Sequence, residues 1–172
     1  MSRRTTFVGI GLLSLVALVL TIWWTGPHGP IPGGPLAGER IDQPPANWNA
    51  ASQQQYVLVE SRAGWLPHSS GAMAQVHDGQ LYLILPSLFG DGLHRRLEQD
   101  PDLSIAIEGR VHAVSTEPVT DASSIGAMMP DFLWKFFALR IDPGDVAKIS
   151  TASGVEFSGA EAWIYRVIPR RE

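Results

Sequence analysis

The sequence predicts a mainly β (α+β) fold: an antiparallel β-barrel with two or three short helices, preceded by one transmembrane helix. Short strand-like runs are separated by tight turns, and Asp78-Gly79 is the strongest of them. Asp-Gly favours a two-residue hairpin because both central residues of such a turn need positive φ angles. Long parallel crossovers are missing, so we expect the sheet to be antiparallel and to close on itself.

The first element is an apolar segment near the start of the chain. Residues 7–24 contain no charge, and such a helix spans roughly 27 Å, close to the thickness of the hydrocarbon core of a bilayer. Trp23 and Trp24 stand where an interfacial aromatic belt belongs. Arg3 and Arg4 precede the segment, so the positive-inside rule keeps residues 1–6 in the cytoplasm and places the rest in the periplasm or outside the cell. A cleaved signal peptide is the alternative, although Trp-Trp-Thr-Gly-Pro is a poor cleavage context.

The second segment, residues 25–52, contains six prolines and five glycines. This composition disfavours both a helix and a paired strand, so the segment is predicted to be a tether. The globular domain is then expected to cover residues 53–172. Its predicted strands are Tyr56–Glu60, Ala72–Val76, Leu81–Leu85, Leu103–Ile107, Arg110–Val119, Ala138–Ile141 and Ala162–Ile168.

Two helices are predicted between these strands. Leu93–Gln99 ends at Asp100-Pro101, since the residue before a proline avoids helical angles. Asp121 is expected to cap a second helix that runs through Met128 and Met129 and is broken or restarted at Pro130.

Composition excludes several functional classes. The chain has 172 residues, 45% of them hydrophobic, which suits a single core. Its net charge is −4 and its basic residues are scattered, so no nucleic-acid partner is expected. The absence of cysteine excludes disulfides, a thiolate nucleophile and cysteine-ligated metals. The histidines show no metal-binding spacing, and no metal site is predicted.

Several motifs in order give the chain a family likeness. They are V-x-D-G-x-L-Y at Val76–Tyr82, L-x-x-D-P at Leu97–Pro101, E-G-R at Glu108–Arg110, V-T-D at Val119–Asp121 and W-I-Y-R-V-I-P-R at Trp163–Arg170. In this order and spacing they resemble the split β-barrel of the pyridoxamine-phosphate-oxidase-like flavoproteins and their deazaflavin-dependent nitroreductase relatives. The resemblance covers about two-thirds of the domain.

This resemblance implies a homodimer that holds FMN or a deazaflavin in a cleft between its subunits. The positions that match the phosphate-binding neighbourhood are Ser87, Arg95 and Arg96. The hydroxyl-rich cluster of the family is thin here, and SLFGDG stands where the family often has a basic residue. A solvated helix face is therefore the alternative for the two arginines, with no cofactor bound.

The aromatic stretch around Asp131–Phe137 is a second candidate for cofactor contact, with Trp134 and Lys135 as its leading residues. Such a cluster stacks on flavin rings or lines an apolar pocket, but it also occurs in cores and dimer interfaces. His68-Ser69-Ser70 is interpreted as a hydroxyl-rich loop, and His112 as a surface or dimer-interface residue. The catalytic residues remain unknown.

The leading hypothesis is a membrane-anchored split-barrel protein that binds a flavin or deazaflavin and acts as an oxidoreductase. A bound flavin carries the electrons itself, which agrees with the lack of a catalytic constellation in the sequence. The alternative hypothesis is an exported barrel without a cofactor, which serves as a binding or assembly module at the cell envelope.

Overall fold

The protein is described by a computed structural model that covers residues 12–21, 33–62, 66–87, 92–137, 150–151, 154–157 and 160–170. The helices are α1 (12–21), α2 (Asn49–Ser52), α3 (Gly92–Gln99) and α4 (Ala122–Phe137). The strands are β1 (Glu39–Ile41), β2 (Tyr56–Ser61), β3 (His68–His77), β4 (Gln80–Pro86), β5 (Asp102–Ile107), β6 (Arg110–Pro118), β7 (Ser150–Thr151), β8 (Gly154–Phe157) and β9 (Ala160–Pro169).

The strands of the described residues form one sheet in the order β1-β6-β5-β2-β3-β4-β9-β8-β7. A further pairing between β6 and β9 closes the six strands from β6 to β9 into a barrel. All pairings within this barrel are antiparallel, whereas β1 adds to β6 in parallel. The predicted antiparallel barrel with a few helices is confirmed.

Two tight hairpins set the register of the barrel. Asp78 and Gly79 have φ angles of 50° and 75°, which confirms the predicted turn between β3 and β4. Glu108 and Gly109 repeat this geometry between β5 and β6, with φ angles of 50° and 77°. Glutamate rarely adopts a positive φ, so the second turn carries a less favourable residue than the first.

Two apolar clusters lie on opposite faces of the barrel wall. The interior cluster is built from the alternating inward residues of the strands, including Val57, Val59, Ala74, Leu81, Leu83, Leu103, Ile105 and Val167. The outer cluster joins α4 to β3, β4 and β9 through Met73, Ile84, Ile125, Met128, Met129, Phe132 and Ile164. Because β4 is covered on both faces, its sequence is apolar at successive positions.

The second helix differs from its prediction in one respect. Asp121 accepts a hydrogen bond from the Ser124 N–H at 2.8 Å, which confirms the cap. Pro130 lies inside a continuous helix α4 rather than at a break. The buried neighbours Met129 and Phe132 hold both sides of the proline against the barrel, so tertiary packing offsets the missing hydrogen bond. The predicted strand Ala138–Ile141 lies outside the described residues.

The prediction that the whole segment 25–52 forms neither a helix nor a paired strand is wrong for its second part, residues 33–52. We call residues 33–41 the strap. The strap forms a bridge between Gly33 and Ser69, and its β1 pairs with β6. Gly38 has a φ of 140°, and a Cβ there would lie 2.6 Å from the Gly109 carbonyl oxygen. The glycine at this position therefore allows two backbone segments to pack closely, and it does not serve to make the chain flexible.

Helix α2 follows the strap and closes one end of the barrel. Trp48 and Ala51 are buried in the interior cluster, beside Ile107 at the β5–β6 hairpin. We call this the α2 end. Burial of the Trp48 indole ring lowers the free energy of the folded state substantially. This offsets the conformational entropy that is lost when a proline-rich chain becomes ordered.

A buried carboxylate joins the strap to the barrel. The Glu60 side chain, on β2, is fully buried and accepts the Leu36 N–H at 2.7 Å and Arg40 at 2.9 Å. Arg62, which directly follows β2, lies 3.3 Å from the other carboxylate oxygen. Burial by itself raises the pKa of Glu60, but the hydrogen bonds from Arg40 and Leu36 and the charge of Arg40 outweigh it and hold the pKa below its usual value.

The predicted membrane anchor, residues 7–24, is described only from residue 12 to residue 21, where the chain is helical. Within the described residues, none of the helices has both the length and the apolar character needed to cross a bilayer.

We expect Glu60→Gln to lower the free energy of unfolding by about 1–3 kcal/mol near pH 7, since it removes a charge that satisfies buried donors. The pKa of Glu60 is depressed in the folded state, so its contribution is present above the unfolded pKa and is lost as the pH falls through the folded pKa. Urea unfolding of both proteins across the acidic range measures this difference.

The control is Glu39→Gln, an exposed carboxylate in the same strap, which we expect to leave stability unchanged. Equal stability of Glu60→Gln and the unsubstituted protein at pH 7 would contradict the role assigned to Glu60.

Candidate functional site

The candidate site lies at the end of the barrel where β4 finishes, α3 crosses and β5 begins, which we call the α3 end. His94 fixes the helix there: its ring stacks on Trp163 at 4.0 Å with an interplanar angle of 6°. His94 Nδ1 lies 2.7 Å from the Tyr165 hydroxyl. Burial, with a smaller effect of Glu98, raises the pKa of Tyr165 to about 12. The phenol therefore stays neutral and remains a hydrogen-bonding partner.

This anchoring decides where the two arginines point. His94 and Leu97 face the barrel, and successive helical residues are about 100° apart. Arg95 therefore points into solvent, whereas Arg96 flanks the barrel and is half-buried. Burial and, to a smaller extent, the charge of Arg96 lower the pKa of His68. The structure thus places Arg96 near the start of β3 and directs Arg95 elsewhere.

Unpaired hydroxyls lie at the same end. The prediction of a loop at His68-Ser69-Ser70 is wrong, since these residues open β3. Ser70 pairs with Val59, an interior residue, so its side chain points into the barrel. Its Oγ is buried and makes no hydrogen bond within the described residues, and the same is true of Ser69 Oγ. A buried hydroxyl without a partner is costly, and a ligand oxygen would satisfy it.

Ser87 is half-buried and follows the last residue of β4, also at the α3 end. The predicted residues Ser87 and Arg96 therefore share one end of the barrel with His68 and Ser70. The sequence did not predict that His68 would lie at this end of the barrel. Its register opposite Ser61 brings it to this end, and only strand pairing reveals that placement.

The other predicted residues, Trp134 and Lys135, lie near the end of α4 on the outer face of the barrel. Lys135 Nζ donates to the Ala74 carbonyl at 2.9 Å and lies 5.5 Å from the centre of the Phe136 ring. Burial lowers the pKa of Lys135. Trp134 is 54% exposed, so its indole is accessible on the surface.

A surface that we call the aromatic shelf lies beside Lys135 and consists of Tyr56, Leu58 and Phe136. Trp134 is not part of it, because a residue two helical positions before Phe136 lies on the opposite side of α4. The Tyr56 and Phe136 rings meet edge to face at 6.0 Å. Tyr56 is 51% exposed and Leu58 is 40% exposed, both on the outward face of β2. Large apolar side chains grouped in this way are typical of a ligand or protein contact.

Within one chain the structure does not bring the two groups of predicted residues together. Ser70 and Ala74 are four positions apart on β3, which is about 13 Å along the strand. Ser70 faces the interior, whereas the Lys135 side of the wall is the outer face. The α3 end suits an anion, because Arg96 and an unpaired hydroxyl both lie at that end. The aromatic shelf suits a flat ring. A flavin that uses both would need a second chain.

One further prediction is wrong. His112 was expected at the surface or in a dimer interface, but it is 6% exposed and its Nδ1 lies 2.9 Å from the Gln43 carbonyl oxygen. Its partner residue on β5 is Ile105, an interior residue, so His112 points into the barrel. The sequence suggested exposure because His112 lies on a strand close to the charged Arg110, and nothing in it indicated that the segment containing Gln43 would cover the ring.

Comparison with solved structures finds proteins of the kind that the sequence resembles. A putative pyridoxamine 5'-phosphate oxidase from Listeria innocua is 15% identical, with a TM-score of 0.47 over 69% of this chain and 86% of its own. An FAD-binding protein from Mesorhizobium loti is 11% identical, with a TM-score of 0.45 over 71% and 84% of the two chains. An F420 reductase is 13% identical, with a TM-score of 0.46 over 74% and 96%.

No family model matches the sequence, and neither does any curated protein. The structural neighbours are pyridoxamine-phosphate-oxidase-like, FAD-binding and F420 reductase proteins, as the sequence resemblance predicted.

Proposed function

We propose that this chain binds the phosphate of FMN or of a deazaflavin at the α3 end and acts as an oxidoreductase. One observation carries the proposal: Arg96 flanks a barrel mouth in which the buried Ser70 hydroxyl has no partner among the described residues. A guanidinium and a hydroxyl donor at the same end of a barrel are favourable for binding phosphate oxygens.

In this proposal the residues of the α3 end have different roles in binding the phosphate. Arg96 supplies charge-assisted hydrogen bonds, and Ser70 and Ser87 supply neutral ones. His94 keeps α3 in place through its stack on Trp163, so Arg96 is held near the site before the ligand arrives. Arg95, on the solvent side, contributes long-range attraction rather than contact.

The flavin or deazaflavin would supply hydride or electron transfer. The chain would orient its ring and exclude water from it, and the aromatic shelf offers a flat apolar surface for that purpose. Lys135 Nζ, already donating to the Ala74 carbonyl, would hold the end of α4 beside the ring.

We further propose that the protein is a homodimer in which the aromatic shelf of one subunit meets the other subunit near its α3 end. The separation of the two groups of residues within one chain supports this arrangement, because a second copy would bring them together. The exposure of Tyr56 and Leu58 supports it as well, since association would bury them.

A second candidate function is a binding or assembly module without a cofactor. It is favoured by the small number of phosphate ligands among the predicted residues at the α3 end, since Arg95 points into solvent and only Arg96 of the two adjacent arginines flanks the barrel.

We also propose that residues 7–24 anchor the protein in a membrane, with the N-terminus in the cytoplasm and the barrel on the other side. Support comes from the uncharged sequence and the preceding arginines. The helical part, α1, exposes its leucines, and Leu13 is 72% exposed. The Thr21 hydroxyl donates a hydrogen bond to the Ala17 carbonyl at 2.8 Å, so the hydroxyl is hydrogen-bonded without water.

The first test is cofactor binding. The full-length protein should bind FMN or a deazaflavin, measured by absorbance and fluorescence titration. Arg96→Ala should weaken binding about tenfold or more, since it removes a charge-assisted contact. Arg95→Ala should have a smaller effect that fades at high salt, because an exposed charge acts over distance and is screened.

The control is Arg166→Ala, an arginine on the outer face that pairs with Glu117 at 2.8 Å, and it should leave affinity unchanged. Equal losses in Arg95→Ala and Arg96→Ala would contradict the assignment of contact to Arg96. Absence of binding by either cofactor would favour the module without a cofactor.

The second test is association. In mild detergent the full-length protein should sediment as a dimer, and Tyr56→Glu or Leu58→Glu should shift it toward monomer, because a charge in a buried contact is unfavourable. Leu66→Glu is the matched control, since Leu66 is similarly exposed, at 43%, outside the shelf. A monomeric unsubstituted protein would contradict the proposed dimer.

The third test is topology. A reporter enzyme that is active only outside the cytoplasm, fused after Glu172, should be active in cells. Moving Arg3 and Arg4 to follow Trp24 should reduce its activity, because positive charges are retained in the cytoplasm. Activity of a cytoplasmic reporter at the same position would overturn the proposed orientation.

A further inference from the structure

A cavity of about 260 Å³ lies at the α2 end, opposite the end assigned to the cofactor. The segment before and within α2 forms one wall, with Pro45, Asn47 and Trp48, and the β5–β6 hairpin forms the other, with Ile107 and Arg110. Its volume is slightly below the range of about 300–1,000 Å³ that is typical of small-molecule pockets. It therefore suits a ligand smaller than a flavin.

His112 supplies this cavity with a free hydrogen-bond acceptor. The Gln43 carbonyl can only accept, so His112 Nδ1 carries the proton, and in the neutral ring Nε2 is the acceptor. Nε2 makes no hydrogen bond within the described residues, yet it is not among their buried unpaired atoms. Since the ring is otherwise buried and lines the cavity, Nε2 is reached through the cavity.

Two side chains of opposite charge lie at the rim of this cavity. Glu108 and Arg110 both line the cavity and both are exposed. Within the described part of the chain neither makes an ion pair, although only Gly109 separates them. Glu108 also keeps a positive φ of 50°, where asparagine, aspartate or glycine would be less strained. Both charges are therefore available to a ligand.

We propose that this cavity binds a small zwitterion of the amino-acid type with an apolar side chain. Arg110 would receive the carboxylate, and a guanidinium matches it with two parallel hydrogen bonds. The ammonium group would donate to the Glu108 carboxylate and to His112 Nε2. Ile107, Pro45 and Trp48 provide the apolar wall for the side chain. This site is separate from the α3 end and does not depend on the function proposed there.

The test uses L-phenylalanine and two analogues that each lack one of its charged groups. The first is 3-phenylpropionate, which lacks the ammonium, and the second is 2-phenylethylamine, which lacks the carboxylate. Each is titrated against the full-length protein in mild detergent by ligand-observed NMR. L-Phenylalanine should bind saturably, and each analogue should bind about tenfold more weakly, since one charge-assisted contact is lost.

Two surface variants then assign the charges. Arg110→Gln should weaken L-phenylalanine about tenfold and leave 2-phenylethylamine unchanged. Glu108→Gln should weaken L-phenylalanine by a similar factor and leave 3-phenylpropionate unchanged. Arg166→Gln, at an exposed arginine on the outer face, is the matched control and should change nothing.

Two further variants locate the site. Ala50→Phe, at a half-buried lining residue, should fill the cavity and abolish binding of all three ligands. His112→Phe should weaken the two amines only, and urea unfolding establishes whether it folds; the surface variants test the charges independently of it. Absence of L-phenylalanine binding up to about 10 mM, equal affinity for the three ligands, or unchanged affinity in Arg110→Gln would each overturn the proposal.

Discussion

The buried carboxylate of Glu60 is the constraint on which most of this structure depends. It points outward from β2, where an exposed barrel wall would leave it in water, and the strap covers it and supplies the Leu36 N–H and Arg40. A buried charge without partners is strongly unfavourable, so the strap and the carboxylate require each other. By holding the strap, Glu60 also fixes the chain that leads to α2.

The consequences reach the α2 end of the barrel. The strap leads to Gln43, whose carbonyl orients His112, and then to Trp48, which closes the barrel interior. The cavity lies between this segment and the β5–β6 hairpin. Its shape and its free acceptor therefore depend on a network that is assembled on the other side of the wall. Loss of the strap would therefore expose the barrel interior to solvent and also remove the cavity.

The α3 end is organised by a different interaction, the stack of His94 on Trp163. Because this stack fixes the rotation of α3, two adjacent arginines have different environments: Arg96 flanks the barrel mouth and Arg95 faces solvent. The two ends of the barrel are thus held by separate contacts and offer different chemistry: a half-buried arginine and an unpaired hydroxyl among the described residues at one end, and a cavity with mixed charge at the other.

The sequence by itself determined the local elements. Asp78-Gly79 predicted the turn between β3 and β4, and Asp121 predicted the cap of α4. The alternation of Leu103, Ile105 and Ile107 predicted strand β5. Each of these features depends on residues that are neighbours along the chain. Short-range backbone preferences and side-chain alternation decide these features.

Only the tertiary structure decided how residues 33–52 behave, since their order comes from the Glu60 network and from burial of Trp48, which composition does not show. Pro130 stays inside a helix for the same reason: contacts with the barrel outweigh a local preference. Partners such as Glu60 and Arg40, or His112 and Gln43, are far apart in the sequence. Their pairing follows from barrel closure, and no local pattern encodes it.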